Sequence, residues 1–375
     1  MTAPPCVIEA AEFDPRLPEL PNADGVFVIW AGGEPAYLAK TGMLRRRLQR
    51  VLRPTEIPGR GLNLRGVATR VEYWITGSRF ESALLHFHLA RLQHPDSYRK
   101  LVKLRLPAYV RLTLANEFPR SYVTNRLSAS QSLHYGPFRS RAAAEQFESE
   151  MLDHFQIRRC QEDLAPHPAH PGCIYGEMNR CLRPCQEVVH AEEYRSEANR
   201  VAEFLTHNGR SMLQTIQAAR DRLSEEMNFE EAARQHRRME RVNQLLALGG
   251  ELVCDINRLY GVAIQPAAEP GAVKLWFVCQ GWWQTPVDFP LTSSESLDRR
   301  LRELIAGLEP VHGSRLEREE HLALLARWNY SSWRDGEWVQ FESLAQLPYR
   351  KLVRAISRCQ ASVKAADVPS VGPVA

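Results

Sequence analysis

The sequence predicts an α+β protein made of several domains, and three observations lead to this prediction. The chain has 375 residues, which is long enough for two or three separately packed cores. Short apolar runs bounded by glycine or proline, typical of strands, alternate with longer segments in which apolar residues recur at helical spacing. Near the middle of the chain, a proline-rich stretch with four closely spaced cysteines interrupts both patterns. We therefore expect small sheets with packed helices, joined through a cysteine-rich loop.

Composition and charge narrow the class of protein. Hydrophobic residues make up 44% and charged residues 25% of the chain, and the net charge is only +4. Nucleic-acid binding would therefore have to come from local clusters of charge. The chain has neither a run of roughly eighteen apolar residues that could span a bilayer nor a secretory signal at its start. We expect a cytoplasmic monomer without a membrane partner.

The order of these patterns along the chain predicts six regions. We expect a disordered arm over 1–20, an α+β unit over 21–105, linker strands with a helix and the cysteine-rich loop over 106–192, a helical hairpin over 193–249, a small C-terminal α/β domain over 250–362, and a disordered tail over 363–375. The boundaries follow changes in composition and in hydrophobic period.

The first unit begins with a predicted β-hairpin. An apolar strand over 25–30 is followed by the turn Gly32-Gly33 and by a returning strand over 36–39. After a basic helix, a strand over 71–76 and a helix over 78–94 complete the unit. This order predicts a small mixed sheet with helices packed on it.

The basic helix between these strands is a candidate nucleic-acid contact. Its apolar residues fall at helical spacing, and the remaining faces carry five arginines and no acidic residue: Arg45, Arg46, Arg47, Arg50 and Arg53. Without acidic partners one turn away, such a helix favours a phosphate backbone as its neighbour. The alternative is that the arginines form an ordinary solvated face.

The cysteine-rich loop is a candidate metal or cluster site. Its thiols follow the spacing Cys160-x12-Cys173-x7-Cys181-x3-Cys185, with five prolines or glycines between or beside them. Four gathered thiols are compatible with a disulfide pair, a tetrahedral zinc ion or an iron-sulfur cluster. A reducing compartment disfavours disulfides, and only the last pair has the short spacing usual for zinc, so the pattern leans towards a cluster. Four thiols without any ligand remain the alternative.

Two helical runs after the loop predict an antiparallel hairpin. A helix over 194–205 is expected to stop at Asn208-Gly209, and helices over 212–227 and 229–248 follow, separated by Asn228. Leu213, Ile216, Leu223 and Met227 are expected to face Phe229, Ala232, Ala233 and Val242.

Taken together, these segments resemble known families. The hairpin elements Gly25-Val-Phe and Tyr37-Leu-Ala, followed by the arginine-rich helix, resemble the GIY-YIG nuclease domain. The elements Phe118-Pro-Arg, His134-Tyr-Gly-Pro-Phe and Arg180-Cys-Leu-Arg-Pro-Cys then follow in an order that resembles UvrC, the incision subunit of bacterial nucleotide excision repair. The similarity runs from about Gly25 to about Leu246.

This resemblance implies ligands and partners. It implies that Cys160, Cys173, Cys181 and Cys185 hold a four-iron four-sulfur cluster, with zinc as the alternative. It implies damaged double-stranded DNA as the substrate, contacted by Arg45, Arg46, Arg50 and Arg53. The hairpin resembles the UVR motif, which implies a UvrB-like partner bound through Phe229, Glu230 and Ala233. A hairpin that packs only on its own domain is the alternative.

The resemblance also identifies candidate catalytic residues, of which several are substituted. Tyr37, Lys40 and Arg47 occupy retained positions of the GIY-YIG pattern. Phe27 replaces the first tyrosine, and His86 stands where the family has the glutamate that binds the divalent metal. A neutral imidazole is a poor ligand for magnesium, so we expect little metal binding and weak or absent incision.

The C-terminal region predicts a small sheet, with strands over 259–264, 273–278 and 287–291, followed by helices over 296–308 and 315–327. In UvrC this region would be an RNase H-like nuclease, so a truncated remnant is expected here, without a recognisable acidic metal site. Trp328, Trp333 and Trp338 either stack on exposed bases or belong to the core.

Three functions are compatible with these patterns. The chain is either a working excision-repair endonuclease, a DNA- and partner-binding scaffold that no longer cuts, or a structural zinc protein without a role in repair. The cysteine chemistry and the substituted nuclease positions distinguish among them.

Overall fold

Antiparallel sheets, each covered by its own helices, organise the chain. The computed structural model describes residues 4–54, 61–292 and 295–366. In this part of the chain the strands form three sheets, and the predicted α+β fold class is confirmed. None of the described helices combines the length and the apolar composition that crossing a bilayer requires.

The first sheet has the strand order β1-β4-β2-β3. Its elements are β1 (Cys6–Glu9), α1 (Phe13–Arg16), β2 (Gly25–Ala31), β3 (Glu34–Thr41), α2 (Leu44–Val51), β4 (Arg70–Ile75), α3 (Arg79–Gln93) and α4 (Tyr98–Leu101). The predicted hairpin, basic helix, third strand and long helix are confirmed. The sheet differs from the expected mixed one, because all three of its strand pairs are antiparallel. Helix α2 covers one face of the sheet and α3 the other.

The expected disordered arm at 1–20 is wrong over its described part. Strand β1 pairs with β4 at the edge of the sheet. Ile8, Phe13, Leu17 and Leu20 are at most 5% exposed and complete the core beneath α2. These apolar residues are too widely spaced to form a helical or strand period, so only the tertiary core shows why the segment is ordered.

The second sheet, in the order β6-β5-β7-β8, forms the middle of the molecule. Its elements are β5 (Ala108–Leu112), β6 (Ser121–Thr124), β7 (Leu133–Phe138), α5 (Arg141–Leu152), α6 (Ile174–Glu177), α7 (Ala191–Thr206), α8 (Arg210–Glu225), α9 (Phe229–Gly249) and β8 (Cys254–Asp255). Apolar side chains from α5, α7, α8 and α9 share one core with β5, β6 and β7.

Helices α8 and α9 form the predicted hairpin. Asn208 and Gly209 adopt positive φ angles of 50° and 68° and separate α7 from α8. Asn228 caps α9 by accepting a hydrogen bond from the amide of Glu231 at 3.4 Å. The base of the hairpin packs in the second core, but the expected contact between Met227 and Phe229 at its tip is wrong. Both side chains are instead largely exposed, by 78% and 66%.

The third sheet has the order β11-β10-β9-β13, with β12 paired to β10. Its elements are β9 (Tyr260–Pro266), β10 (Ala272–Cys279), β11 (Trp282–Trp283), β12 (Val287–Pro290), α10 (Leu297–Ala306), α11 (Arg315–Asn329), β13 (Glu337–Phe341) and α12 (Tyr349–Ala366). Helices α10 and α12 pack on one face of the sheet and α11 on the other.

Three elements of the third unit were not predicted, namely β11, β13 and α12. Helix α12 extends through residues 363–366, so that part of the expected disordered tail is wrong. The rest of the tail, 367–375, lies outside the described residues. The helix packs on β9 and β13 through Leu352, Ala355 and Ile356, each at most 2% exposed, which gives it a structural role that its sequence pattern alone did not reveal.

The tryptophans at the end of the chain belong mainly to the core. Trp328 and Trp338 are 1% and 2% exposed, and the Trp328 ring lies 4.9 Å from the ring of Phe80 in the first unit. Stacking of these two rings on exposed bases is therefore wrong, because the rings are not accessible. Trp333 is half-buried and lies beside Lys40.

Helix α11 joins the three units through buried charges. Glu320, whose side chain is 1% exposed, accepts hydrogen bonds from Arg99 at 2.8 and 2.9 Å and from the hydroxyl of Tyr98. Glu319 accepts a hydrogen bond from the amide of Leu127 at 2.8 Å and forms an ion pair with Arg126 at 3.2 Å. One helix thereby holds both the first and the middle unit against the third sheet.

We expect Glu320→Gln to lower the free energy of unfolding by about 2 kcal/mol, because the substitution weakens a buried charge-assisted contact. The matched change Glu317→Gln should cost less than about 0.5 kcal/mol, since an exposed ion pair contributes little. Urea unfolding followed by tryptophan fluorescence measures both values. Equal losses in the two variants would show that the Glu320 contact does not hold the units together.

Candidate functional site

The cysteine-rich loop lies between α5 and α7, against the second sheet. Cys173 immediately precedes α6, and Cys185 lies in a short 3₁₀ turn over Pro184–Gln186. Cys181 and Cys185 are each 8% exposed, Cys160 is half-buried and Cys173 is exposed. All four thiols are free, so a disulfide pair is not formed.

The four thiols are electrostatic neighbours. Burial raises the pKa of Cys181 to about 11, and the charges that Cys160, Cys173 and Cys185 carry when ionised add to this rise. Burial also raises the pKa of Cys185, with Cys173 and Cys160 as the next contributions. Because the neighbouring thiols disfavour ionisation of Cys181 and Cys185, a cationic centre among them would stabilise these two thiolates.

Hydrogen-bond donors surround these sulfurs. The amide of Arg183 donates to Cys181 Sγ at 3.4 Å, and Arg158 Nη1 donates to Cys160 Sγ at 3.6 Å. Arg158 is 4% exposed, and its side chain also donates to the carbonyls of Phe118 and Glu162. Sequence reasoning missed Arg158, although its position two residues before Cys160 was a signal. The donors suit an anionic group held by thiolates.

The loop does not present a ready site for one metal ion. Over the described ranges, no three or more His, Cys, Asp or Glu side chains are arranged so that they could hold a metal ion. Thiolates are chemically suitable ligands for zinc or for an iron-sulfur cluster, but the described arrangement of this loop does not itself form a metal-binding group.

The candidate catalytic residues divide between the two faces of the first sheet. Strand residues alternate between faces, and the register pairs Phe27 with Ala39 and Val26 with Lys40. Tyr37 therefore lies on the α2 face, where its hydroxyl accepts a hydrogen bond from Arg47 Nη2 at 2.6 Å. Lys40 lies on the opposite face, next to α3. The structure thus brings Tyr37 and Arg47 together but not Lys40.

The C-terminal unit contributes the surroundings of Lys40. Lys40 Nζ lies 5.5 Å from the centre of the Trp333 ring. Burial lowers the pKa of Lys40, and the charge of Arg327 lowers it further, while Asp24 and Asp335 oppose the shift. Sequence reasoning missed Arg327 and Asp335, and no sequence signal links them to Lys40 because they lie nearly 300 residues away.

His86 faces the same group of charges. It is 9% exposed, whereas His88 is exposed, so the two histidines occupy different faces of α3 as predicted. Burial lowers the pKa of His86 from 6.5 to about 4, and the charges of Lys40 and Arg327 act in the same direction. At neutral pH, His86 is therefore a neutral imidazole beside two cations. It offers magnesium no carboxylate ligand.

The arginines of α2 differ in accessibility. Arg45, Arg46 and Arg50 are exposed. Arg53 is half-buried and donates to the carbonyls of Arg50, Gly61 and Leu62 at 3.2–3.5 Å, which fixes the chain after the helix. The first three arginines are available to an external anion, while Arg53 has a structural role.

The tip of the α8–α9 hairpin presents the candidate partner residues. Phe229 is 66% exposed, and Glu230 and Ala233 are also exposed. Met227, at 78% exposure, adds a second apolar side chain to this tip. Large exposed apolar side chains grouped at the end of a projecting element are typical of a contact surface.

Comparisons with known proteins agree with these features. Residues 108–204 match the family described as UvrC/Cho excinuclease, middle domain. The chain is 26% identical over 313 residues to a UvrABC system protein C of Moorella thermoacetica, an alignment that covers 81% of this chain and 49% of the relative. The corresponding protein of Desulfatibacillum aliphaticivorans is 25% identical over 303 residues, covering 78% and 50%. No solved structure matches the chain.

Residues 108–204, in the middle of this α+β molecule, therefore match a UvrC/Cho excinuclease middle domain. The predicted resemblance to UvrC is confirmed, since most of the chain is similar to proteins named UvrABC system protein C. The chain spans about half the length of the first of these curated relatives.

We expect His86 to make the protein sensitive to acid. Because its folded pKa of about 4 lies below the ordinary 6.5, the unfolded chain binds the proton more readily, and stability falls as the pH falls through this window. Between pH 7 and pH 5 the loss from His86 is about 2 kcal/mol.

Urea unfolding of His86→Gln at both pH values should show a smaller dependence on pH than the unsubstituted protein. The exposed His236→Gln serves as the control and should keep the original dependence. If His86→Gln also keeps it, the histidine is not buried in its neutral form.

Proposed function

We propose that the protein acts in nucleotide excision repair on damaged double-stranded DNA, together with a UvrB-like protein, in the cytoplasm, and that its GIY-YIG-type incision is impaired. The observation that supports this most strongly is the UvrC/Cho excinuclease middle domain over residues 108–204. The similarity to UvrABC system protein C extends this support over 81% of the chain.

Impaired incision follows from the chemistry of the first unit. A nuclease of this type needs a base, a metal ligand and a cation acting on one phosphate. Phe27 is fully buried and has no hydroxyl, and His86 supplies a neutral imidazole in place of a carboxylate. Tyr37 and Arg47 retain a hydrogen-bonded pair, but Lys40 lies on the other face under Trp333. These residues can still orient a phosphate but lack a metal ligand.

DNA contact and partner contact use separate surfaces in this proposal. Exposed Arg45, Arg46 and Arg50 on α2 neutralise backbone phosphates. The hairpin tip, with Phe229, Glu230 and Ala233, meets the UvrB-like protein. This use of the tip is supported by the exposure of Phe229, which would be unfavourable without a partner.

Cys160, Cys173, Cys181 and Cys185 would hold a four-iron four-sulfur cluster in this proposal. When bound, such a cluster would supply a cross-link between the two ends of the loop, within the middle domain. Zinc is the less favoured alternative, because only Cys181 and Cys185 have the short spacing that is usual for zinc ligands. The buried Arg158 beside Cys160 supports an anionic centre, since its charge would offset that of the thiolates.

A non-catalytic scaffold is the second candidate function. The contact of the exposed Lys40 with the Trp333 ring favours it, because a phosphate bound by the lysine would compete with this contact. Both candidates bind DNA and the partner, and they differ only in incision.

We expect no magnesium-dependent nick, or one more than about a hundredfold slower than that of a full-length UvrC relative assayed alongside, because the metal ligand is missing. The assay uses the full chain, UvrA- and UvrB-type proteins and a lesion-bearing duplex. In the same mixture, the chain should remain bound to the UvrB–DNA complex. A clean nick that Tyr37→Phe abolishes would contradict impairment, and failure to join the complex would contradict the proposed function.

We expect anaerobically purified protein to contain about four iron and four sulfide per chain. Cys181→Ala should lose this iron, because it removes a buried ligand. The matched change Cys254→Ala, at a buried thiol outside the loop, should retain it. Metal and sulfide analysis with the visible absorption spectrum measures the result. Stoichiometric zinc, or no metal in either sample, would contradict the cluster.

A further inference from the structure

A basic cleft of about 710 Å³ opens between the three units of the protein. One wall is the segment 103–107 that follows α4. A second wall is the start of α5 with residues 138–141, and the third is the end of α11 with Arg327 and Tyr330. The cleft is distinct from the arginines of α2, none of which lines it.

All the charged residues that line the cleft are basic. The cleft is lined by five basic residues, namely Lys103, Arg105, Arg139, Arg141 and Arg327, and by no acidic residue. All five are exposed. Like charges gathered in a concave surface repel one another and raise the local positive potential, which favours a bound anion.

Most of this charge is not used within the protein. Among the described residues, the side chains of Lys103, Arg105 and Arg139 have no hydrogen-bond or ion-pair partner. Arg327 Nη1 donates to the carbonyl of Val102 at 2.7 Å, which satisfies only part of its guanidinium group. Arg141 pairs with Glu145 at 2.7 Å, but both side chains are more than half exposed, so this pair is weak and replaceable.

The distribution of the cations favours a polyanion over a single phosphate. The five side chains come from three separate chain segments along the cleft and do not converge from one loop. The amino end of α5, capped by Ser140, adds the positive end of a helix dipole to the same wall. A chain of phosphates can meet several such charges at once, and a compact anion cannot.

The aromatic residues of the cleft are unsuited to reading bases. Phe138 is 1% exposed. Tyr330 is half-buried, and its hydroxyl is engaged with the carbonyl of Pro137 at 2.8 Å. Without an accessible ring for stacking, contacts in the cleft would be to the backbone and would be independent of sequence.

We propose that this cleft binds the phosphate backbone of a DNA strand without sequence preference, through Lys103, Arg105, Arg139 and Arg327. The proposal rests on the proposed function, since it identifies where the DNA-acting protein holds its substrate. Arg327 also acts electrostatically on Lys40 and His86, so the end of the cleft that carries Arg327 lies near these two residues.

The test measures binding of a fluorescently labelled duplex of random sequence to the full chain by anisotropy, from low to moderate salt. Arg105→Gln with Arg139→Gln removes two phosphate contacts. This double variant should flatten the slope of log affinity against log salt by about two units and weaken binding at least about tenfold at low salt. Changing the base sequence should leave the loss unaltered.

Two control proteins separate the cleft from bulk charge and from misfolding. Arg299→Gln with Arg302→Gln removes the same charge from exposed ion pairs on α10 and should keep the original slope within about half a unit. Arg105→Lys with Arg139→Lys keeps the charge of the cleft and should also keep the slope. Thermal unfolding checks that all variants are folded.

The outcomes distinguish this proposal from the proposed function. If the unsubstituted protein binds DNA and the cleft variant keeps its slope, the cleft proposal is overturned and the proposed function stands. If the cleft variant and the α10 variant lose slope equally, bulk charge explains the binding and the cleft proposal is again overturned. If the unsubstituted protein does not bind DNA, both proposals fail.

Discussion

Two adjacent buried carboxylates, Glu319 and Glu320 of α11, form the contact on which the arrangement of the three units depends. Each would be unfavourable in a protein interior without a partner. Arg99 reaches Glu320 from the first unit, and Arg126 reaches Glu319 from the middle unit. Helix α11 is consequently buried on almost every side. Because a buried charge that loses its partner is costly, these pairs hold the units in one relative arrangement.

This arrangement also determines what surrounds the face of the first sheet that carries Lys40. The end of α11 and the residues that follow it bring Arg327 and Trp333 to Lys40, and the ring of Trp328 to Phe80. The face of the first sheet that carries Lys40 is therefore a packed interface between units. There, burial together with the nearby charges of Lys40 and Arg327 keeps His86 neutral, while Lys40 itself is exposed.

The middle unit combines a rigid base with projecting features. Its core fixes one end of the α8–α9 hairpin and one side of the cysteine loop, through residues such as Val242 and Arg158. The tip of the hairpin and Cys173 remain exposed. The middle unit therefore positions the exposed hairpin tip and the thiols, while the first and third units together with the middle unit form the basic cleft.

The sequence by itself determined the elements with a strong local period, including the hairpin of the first sheet and the caps at Asn208-Gly209 and Asn228. The resemblance to UvrC also followed from short contiguous motifs. Only the tertiary structure decided the order of residues 4–20, the burial of Trp328 and the contact between Lys40 and Trp333. These features depend on contacts between residues far apart in the chain, whose free energy comes from burial and charge pairing that no local pattern records.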